Sequence, residues 1–136
     1  MDLQISSPDG STLVIDQGSS RAASDWQSFD IGDGERVIVN QPDTSSLLLG
    51  RVVGGSATQI LGSLSANGGL LLVNPYGLLI GSDAVINAAT FSASTSDVDP
   101  DQFMNGGDIR FLSSPLTPSD AKIINDIPSL NLYPKK

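Results

Sequence analysis

The sequence has no cysteine and no histidine in its 136 residues. That double absence removes disulfide frameworks, thiolate nucleophiles, imidazole bases and the usual zinc sites. No metal and no cofactor is expected, and little conventional catalytic chemistry remains. Aromatic residues make up only 5%, and base is scarce: 7 Lys and Arg stand against 15 Asp and Glu, for a net charge of −8. Nucleic-acid binding needs a basic stripe, whereas the local excess of base here is Lys135-Lys136 at the end. No apolar stretch approaches the ~20 residues of a membrane span. Met1-Asp2-Leu3 lacks the basic start and apolar run of a signal peptide, so the sequence reads as a cytosolic protein or as a mature form whose signal has been removed. The length suits one domain and is too short for two.

What is present is turn chemistry. Every acid except Glu35 is Asp, which favours turns and caps over helix interiors. Short apolar runs recur between clusters of Gly, Ser, Asn, Asp and Pro: Leu13 to Ile15, Val37 to Val39, Leu47 to Leu49, Ile60 to Leu64, Leu70 to Val73, Leu78 to Ile80, Val85 to Ile86, Phe91 to Ala93 and Ile109 to Leu112. Each is strand length, and none keeps a helical period for three turns. The spacing predicts an all-β chain, either a sandwich or a parallel β-solenoid. Low aromatic content and asparagines at strand ends (Asn40, Asn74, Asn87), where stacked amides form ladders, favour the solenoid. At ~20 to 25 residues per coil the chain would make about five coils, a stub roughly 25 Å long.

Several blocks then occur in order. They are Asp25-Trp26-Gln27-Ser28-Phe29-Asp30-Ile31-Gly32, Glu35-Arg36-Val37, Asn40-Gln41-Pro42-Asp43, Arg51-Val52-Val53-Gly54-Gly55, Gln59 to Gly68, Asn74-Pro75-Tyr76-Gly77 and Ala93-Ser94-Thr95. Over roughly residues 3 to 114 the chain closely resembles the N-terminal secretion domain of two-partner secretion exoproteins, the filamentous haemagglutinin and contact-dependent inhibition toxin group. The resemblance implies a right-handed single-stranded parallel β-helix over 1–115, with a tail or cap of no family likeness over 116–136. It implies a secreted or surface-exposed module that crosses the periplasm, meets the periplasmic domains of an outer-membrane transporter, and folds outside the cell. A cysteine-free chain suits unfolded passage through an oxidising compartment. Two departures stand out: the chain is shortened relative to the family domain, and Tyr76 replaces the second Asn of the family's Asn-Pro-Asn-Gly bend.

The candidate secretion motif is therefore Asn74, Pro75, Tyr76 and Gly77, with Asn40, Gln41 and Pro42. Asn74 to Gly77 has turn chemistry: Pro sets φ at the second position and Gly supplies the last conformation, so these residues read first as a coil corner and second as a transporter contact. Trp26 and Phe29 are expected to cap one open end of the core, which an unclosed solenoid exposes. Leu70 to Val73 and Leu78 to Ile80 cannot place every side chain inward. Either an outer layer, such as an N-terminal hairpin around Leu13 to Ile15 and Val37 to Val39, covers the outward residues, or they form a stripe for a partner engaged by strand addition.

Other constellations favour structural use. Asp97, Asp99, Asp101 and Asp108 have the offsets of a calcium loop, but Gln102 stands where glycine is required and Pro100 intrudes. Asp30, Asp33 and Glu35, or Asp97 to Asp101, would be the carboxylates of a carbohydrate-active β-helix enzyme, the weakest alternative, but they are expected in bends rather than on strand faces. Thr117-Pro118-Ser119-Asp120 reads as the start of a short helix or irregular cap leading into Ala121 to Asn125. The expectation is a module that does no catalysis. The alternative from another class is a structural solenoid subunit that associates end to end with copies of itself.

Overall fold

The computed structural model describes residues 3–106 together with the strands Phe111–Leu112, Ile123–Asn125 and Asn131–Tyr133. Almost all of the regular structure is strand. In chain order the strands are β1 (Leu3–Asp9), β2 (Thr12–Gln17), β3 (Arg21–Trp26), β4 (Arg36–Asn40), β5 (Leu47–Val52), β6 (Thr58–Ile60), β7 (Ser63–Ala66), β8 (Gly69–Val73), β9 (Leu78–Ile80), β10 (Val85–Asn87), β11 (Thr90–Ser94) and β12 (Asp97–Val98). One short helix, α1 (Pro100–Met104), follows, and then β13 (Phe111–Leu112), β14 (Ile123–Asn125) and β15 (Asn131–Tyr133).

Strands close in sequence do not pair side by side but stack one coil apart. Sheet A runs β1-β2-β4-β7-β10, sheet B runs β15-β11-β8-β5-β3, and sheet C runs β14-β9-β6. Leu13 lies beside Val37 and Val37 beside Leu64; Leu48 lies beside Ala22 and Leu70. All of these pairings are parallel except the β1–β2 hairpin. The chain is thus a three-sided parallel β-solenoid of about four coils. It has fewer coils than its length suggests, because β1 turns back antiparallel on β2 and residues 97–106 form an outer layer, and neither adds a coil.

Alternation decides which side chains form the core. Ile15 of β2, Val37 and Val39 of β4 and Leu64 of β7 point inward from sheet A. Leu48, Leu70, Leu72, Phe91 and Ala93 do so from sheet B, and Ile60, Leu78 and Ile80 from sheet C. Full burial of one such aliphatic side chain contributes about 1.5–3 kcal/mol. The apolar run Ile60 to Leu64 is not one strand. It bends at Gly62, where a Cβ would stand 2.3 Å from the Glu35 carbonyl oxygen and 2.4 Å from that of Gly32. Only glycine lets the chain turn a corner against the coil before it.

The outward residues of sheet B are covered, though not by the N-terminal hairpin. Leu49, Leu71 and Val73 pack under Val98 and Phe103 in a second apolar cluster, so the outer layer is residues 97–106. β2 and β4, expected as that cover, are instead rungs of sheet A. The acidic stretch with calcium-loop offsets contains α1: the Asp99 carboxylate accepts from the Asp101 N–H as N-cap, and Pro100 opens the helix. Ile123–Asn125, read as part of a short helix or irregular cap, is a strand beside β9. The helix start proposed at Thr117 to Asp120 lies outside the described residues, as does Asp108.

Candidate functional site

The two blocks of the candidate motif occupy different corners of the solenoid. Asn40, Gln41 and Pro42 lead from sheet A to sheet B. Gln41 is buried, and its side chain spans three coils. Its Nε2 donates to Gln17 Oε1 at 3.2 Å and to the Gly69 carbonyl at 3.0 Å, while its Oε1 accepts from the Gly68 N–H at 2.8 Å. Gln17 Nε2 in turn donates to the Ser19 and Leu47 carbonyls. Asn67 closes the corner from outside, its Oδ1 accepting from the Gln41 N–H and its Nδ2 donating to the Gln41 carbonyl, both at 2.7 Å. Asn40 and Pro42 are exposed, and Asn40 Nδ2 donates to Asp16 Oδ1 at 2.9 Å.

Asn74 to Gly77 turns from sheet B to sheet C. The Gly77 N–H donates to the Asn74 carbonyl at 3.0 Å, and Gly77 has φ 115°, a conformation that side chains resist. Asn74 is fully buried, and both ends of its amide are engaged: Nδ2 donates to the Ser56 carbonyl and Thr58 Oγ1, and Oδ1 accepts from the Tyr76 N–H. The Asx turn to Tyr76 holds the bend, and the bonds to Ser56 and Thr58 tie it to the coil before. Pro75 and Tyr76 are half-buried, so they are the members of this block that reach the surface.

Trp26 ends β3, the edge strand of sheet B, and Phe29 follows in the next bend. Their rings meet edge to face at 5.4 Å and 82°, and both are half-buried against the main core. The indole N–H donates to Ser24 Oγ at 2.8 Å. With Ile15, Leu48, Leu70 and Phe91 the two rings line an apolar void of about 20 Å³. That volume takes no organic ligand.

The candidate carboxylates are used in bends and clasps. Asp30 Oδ1 accepts from the Gln59 N–H, and Glu35 Oε1 accepts from the Gly32 N–H, both across a corner. Asp97 forms a two-point pair with Arg51, Nε to Oδ1 at 3.0 Å and Nη2 to Oδ2 at 3.1 Å, while Arg51 Nη1 reaches Asp25 at 2.9 Å. The Asp97 hydrogen bond, more than the two negative charges, holds the Arg51 guanidinium above its usual pKa. Asp43 and Asp9 are held below the usual carboxylate range by hydrogen bonds from Ser45 and Ser11 respectively. Among the described residues no three Asp or Glu side chains converge as metal ligands.

Three named asparagines do not stack on each other. The side-chain amide contact between coils that exists joins Gln17 to Gln41, while Asn67 bonds the Gln41 backbone, and of these three only Gln41 stood among the site residues expected from sequence. A signal for Gln17 was present: Leu13, Ile15 and Gln17 share one strand face, as do Val37, Val39 and Gln41 one coil later.

The profile of the TPS secretion domain matches residues 3–131. The chain belongs to the TPS secretion domain family. As a member, it is 44% identical over 90 residues to a heme/hemopexin-binding protein of Haemophilus influenzae strain Rd, a match covering 66% of this chain and 10% of that protein. A second heme/hemopexin-binding protein of Haemophilus influenzae is 45% identical over 87 residues, covering 64% of this chain and 9% of that protein. The matched stretch is therefore a small part of the curated relatives. The crystal structure of the HMW1 secretion domain from Haemophilus influenzae superposes with a TM-score of 0.79 and 28% identity, over 96% of this chain and 36% of that one. This TPS secretion domain is thus a secretion module by family and a β-solenoid by fold.

Proposed function

We propose that this chain is the non-enzymatic targeting module of an adhesin- or toxin-like exoprotein, read by the periplasmic domains of an outer-membrane transporter and folding at the cell surface. The observation that carries this reading is the TPS secretion domain match across nearly the whole chain, joined to a solenoid whose conspicuous polar groups serve its corners. Heme or hemopexin binding belongs, on this reading, to the remainder of such exoproteins, since the matched stretch is about a tenth of the relatives' length. Within the motif, Asn74 and Gln41 are committed to corner bonds once the module folds, and contact with the transporter before folding falls to Asn40, Pro42, Pro75 and Tyr76.

Binding of the chain to the purified periplasmic domains of its transporter tests this. The double variant Pro42→Ala, Tyr76→Ala is expected to weaken binding about tenfold while circular dichroism and the urea midpoint hold. Absence of binding by the unsubstituted chain, folded or unfolded, would contradict the reading.

End-to-end self-association is a second reading, favoured by one observation. Ile5 on β1 and Val85 on β10, the two outermost described strands of sheet A, are 51% and 59% exposed. A strictly monomeric sedimentation profile at millimolar concentration would contradict it.

A further inference from the structure

Residues 97–106 cross the outer face of sheet B as a strap, and we propose that this strap is displaceable and that the stripe beneath it takes a partner polypeptide segment of the same chemistry, a carboxylate followed about six residues later by an aromatic side chain. The strap returns from coil four over the coils before it. It buries two large side chains, Val98 and Phe103, against Leu49, Leu71 and Val73. Its polar clasps come from earlier coils: Arg51 grips Asp97 at two points, and Arg21 Nη1 donates to the Phe103 carbonyl at 2.7 Å with its guanidinium 4.9 Å from the Phe103 ring centre. Two anchors, a two-residue antiparallel pairing of β12 with β13 and a five-residue helix are a small contact beside a continuous ladder of strands, so the strap opens locally before the sheet does.

Charge complementarity identifies the occupant. The chain carries −8, yet two of the three arginines among the described residues, Arg21 and Arg51, flank this stripe. With the strap lifted, the stripe presents aliphatic side chains between guanidinium groups. A segment that covers it must supply a carboxylate to Arg51 and an aromatic face to Arg21, as the strap does. The inference rests on the solenoid and does not depend on the transporter reading.

The test uses a fluorescent peptide of the sequence Asp97 to Gly106 and the full chain. The peptide is expected to bind the Phe103→Ala chain at least tenfold more tightly than the native chain, whose own strap competes. Peptides with the phenylalanine changed to alanine, or the first aspartate to asparagine, should lose at least tenfold. Equal affinity for both chains, or no binding to a Phe103→Ala chain with native circular dichroism, overturns the proposal. Hydrogen exchange of the native chain decides it independently of that variant's folding. The Phe103 and Asn105 amides should exchange at least tenfold faster than those of Leu49 and Leu71, and exchange of strap and sheet as one unit overturns it. A native dimer that dissociates on Phe103→Ala substitution would give the stripe to a second copy's strap and overturn the assignment to a partner.

Discussion

Gln41 bonds to the coil before it through Gln17 and to the coil after it through Gly68 and Gly69. Gln41→Leu would keep the volume and strand three buried polar groups, and the expected loss is about 2–4 kcal/mol of stability by urea unfolding. Gly54 answers to a different constraint, since a Cβ there would lie 1.9 Å from the Gln27 carbonyl oxygen. Gly54→Ala is expected to cost about 2 kcal/mol through forced separation of the first two coils, read as a lower urea midpoint. Asp43 gives a pH prediction. Hydrogen bonds from the Ser45 side chain and backbone hold its folded pKa below 3.8. Its contribution to stability is therefore present above the unfolded value and lost as pH falls through the depressed one. An NMR titration should place this carboxylate below 3.8 and show it rising toward 3.8 in Ser45→Ala. At this scale the sequence was legible in its types more than its partners. Turn-forming Asn74 and Gly77 were visible as a bend, but the bonds from Asn74 to Ser56 and Thr58 arise only when one coil stacks on another.

Elements were legible where strand pattern and punctuation coincide, as in β8, between Gly68 and Asn74, and β9, between Gly77 and Gly81. Two kinds of element were not. β3, with Ala22, Ala23 and Ser24, has no apolar run to announce it and owes its strand state to the register of Ala22 on Leu48. α1 is only five residues long, too short for periodicity, and its N-cap Asp99 and Pro100 lie in a stretch whose aspartates suggest a solvated loop. The outer layer it forms explains why consecutive leucines are tolerated in β8: Leu70 and Leu72 face the core while Leu71 faces the strap. Removing the clasp tests this layer. Arg51→Ala should lower stability by about 1 kcal/mol, because the partly buried two-point pair with Asp97 is lost while Val98 and Phe103 stay in place. Loosening should be confined to residues 97–106 in hydrogen exchange.

For the whole molecule, the solenoid explains the composition. A narrow three-sided core takes Leu, Ile, Val and Ala at inward positions and leaves little room for aromatic rings. Corners stacked on corners demand Gly, Asn, Asp and Ser, and the acidity gathers there. Nothing in that economy requires a histidine or a cysteine. The architecture was legible because coil period, bend residues and family blocks agree, whereas the coil number was overestimated from chain length because β1 and the strap take up residues outside the coils. The most direct test of the central claim is export of a reporter fused behind this chain, in cells with and without its cognate outer-membrane transporter. The account predicts reporter outside the cell only when both are present, with export reduced several-fold by Pro42→Ala, Tyr76→Ala. Equal release without the transporter, or retention in the periplasm despite it, would contradict the account.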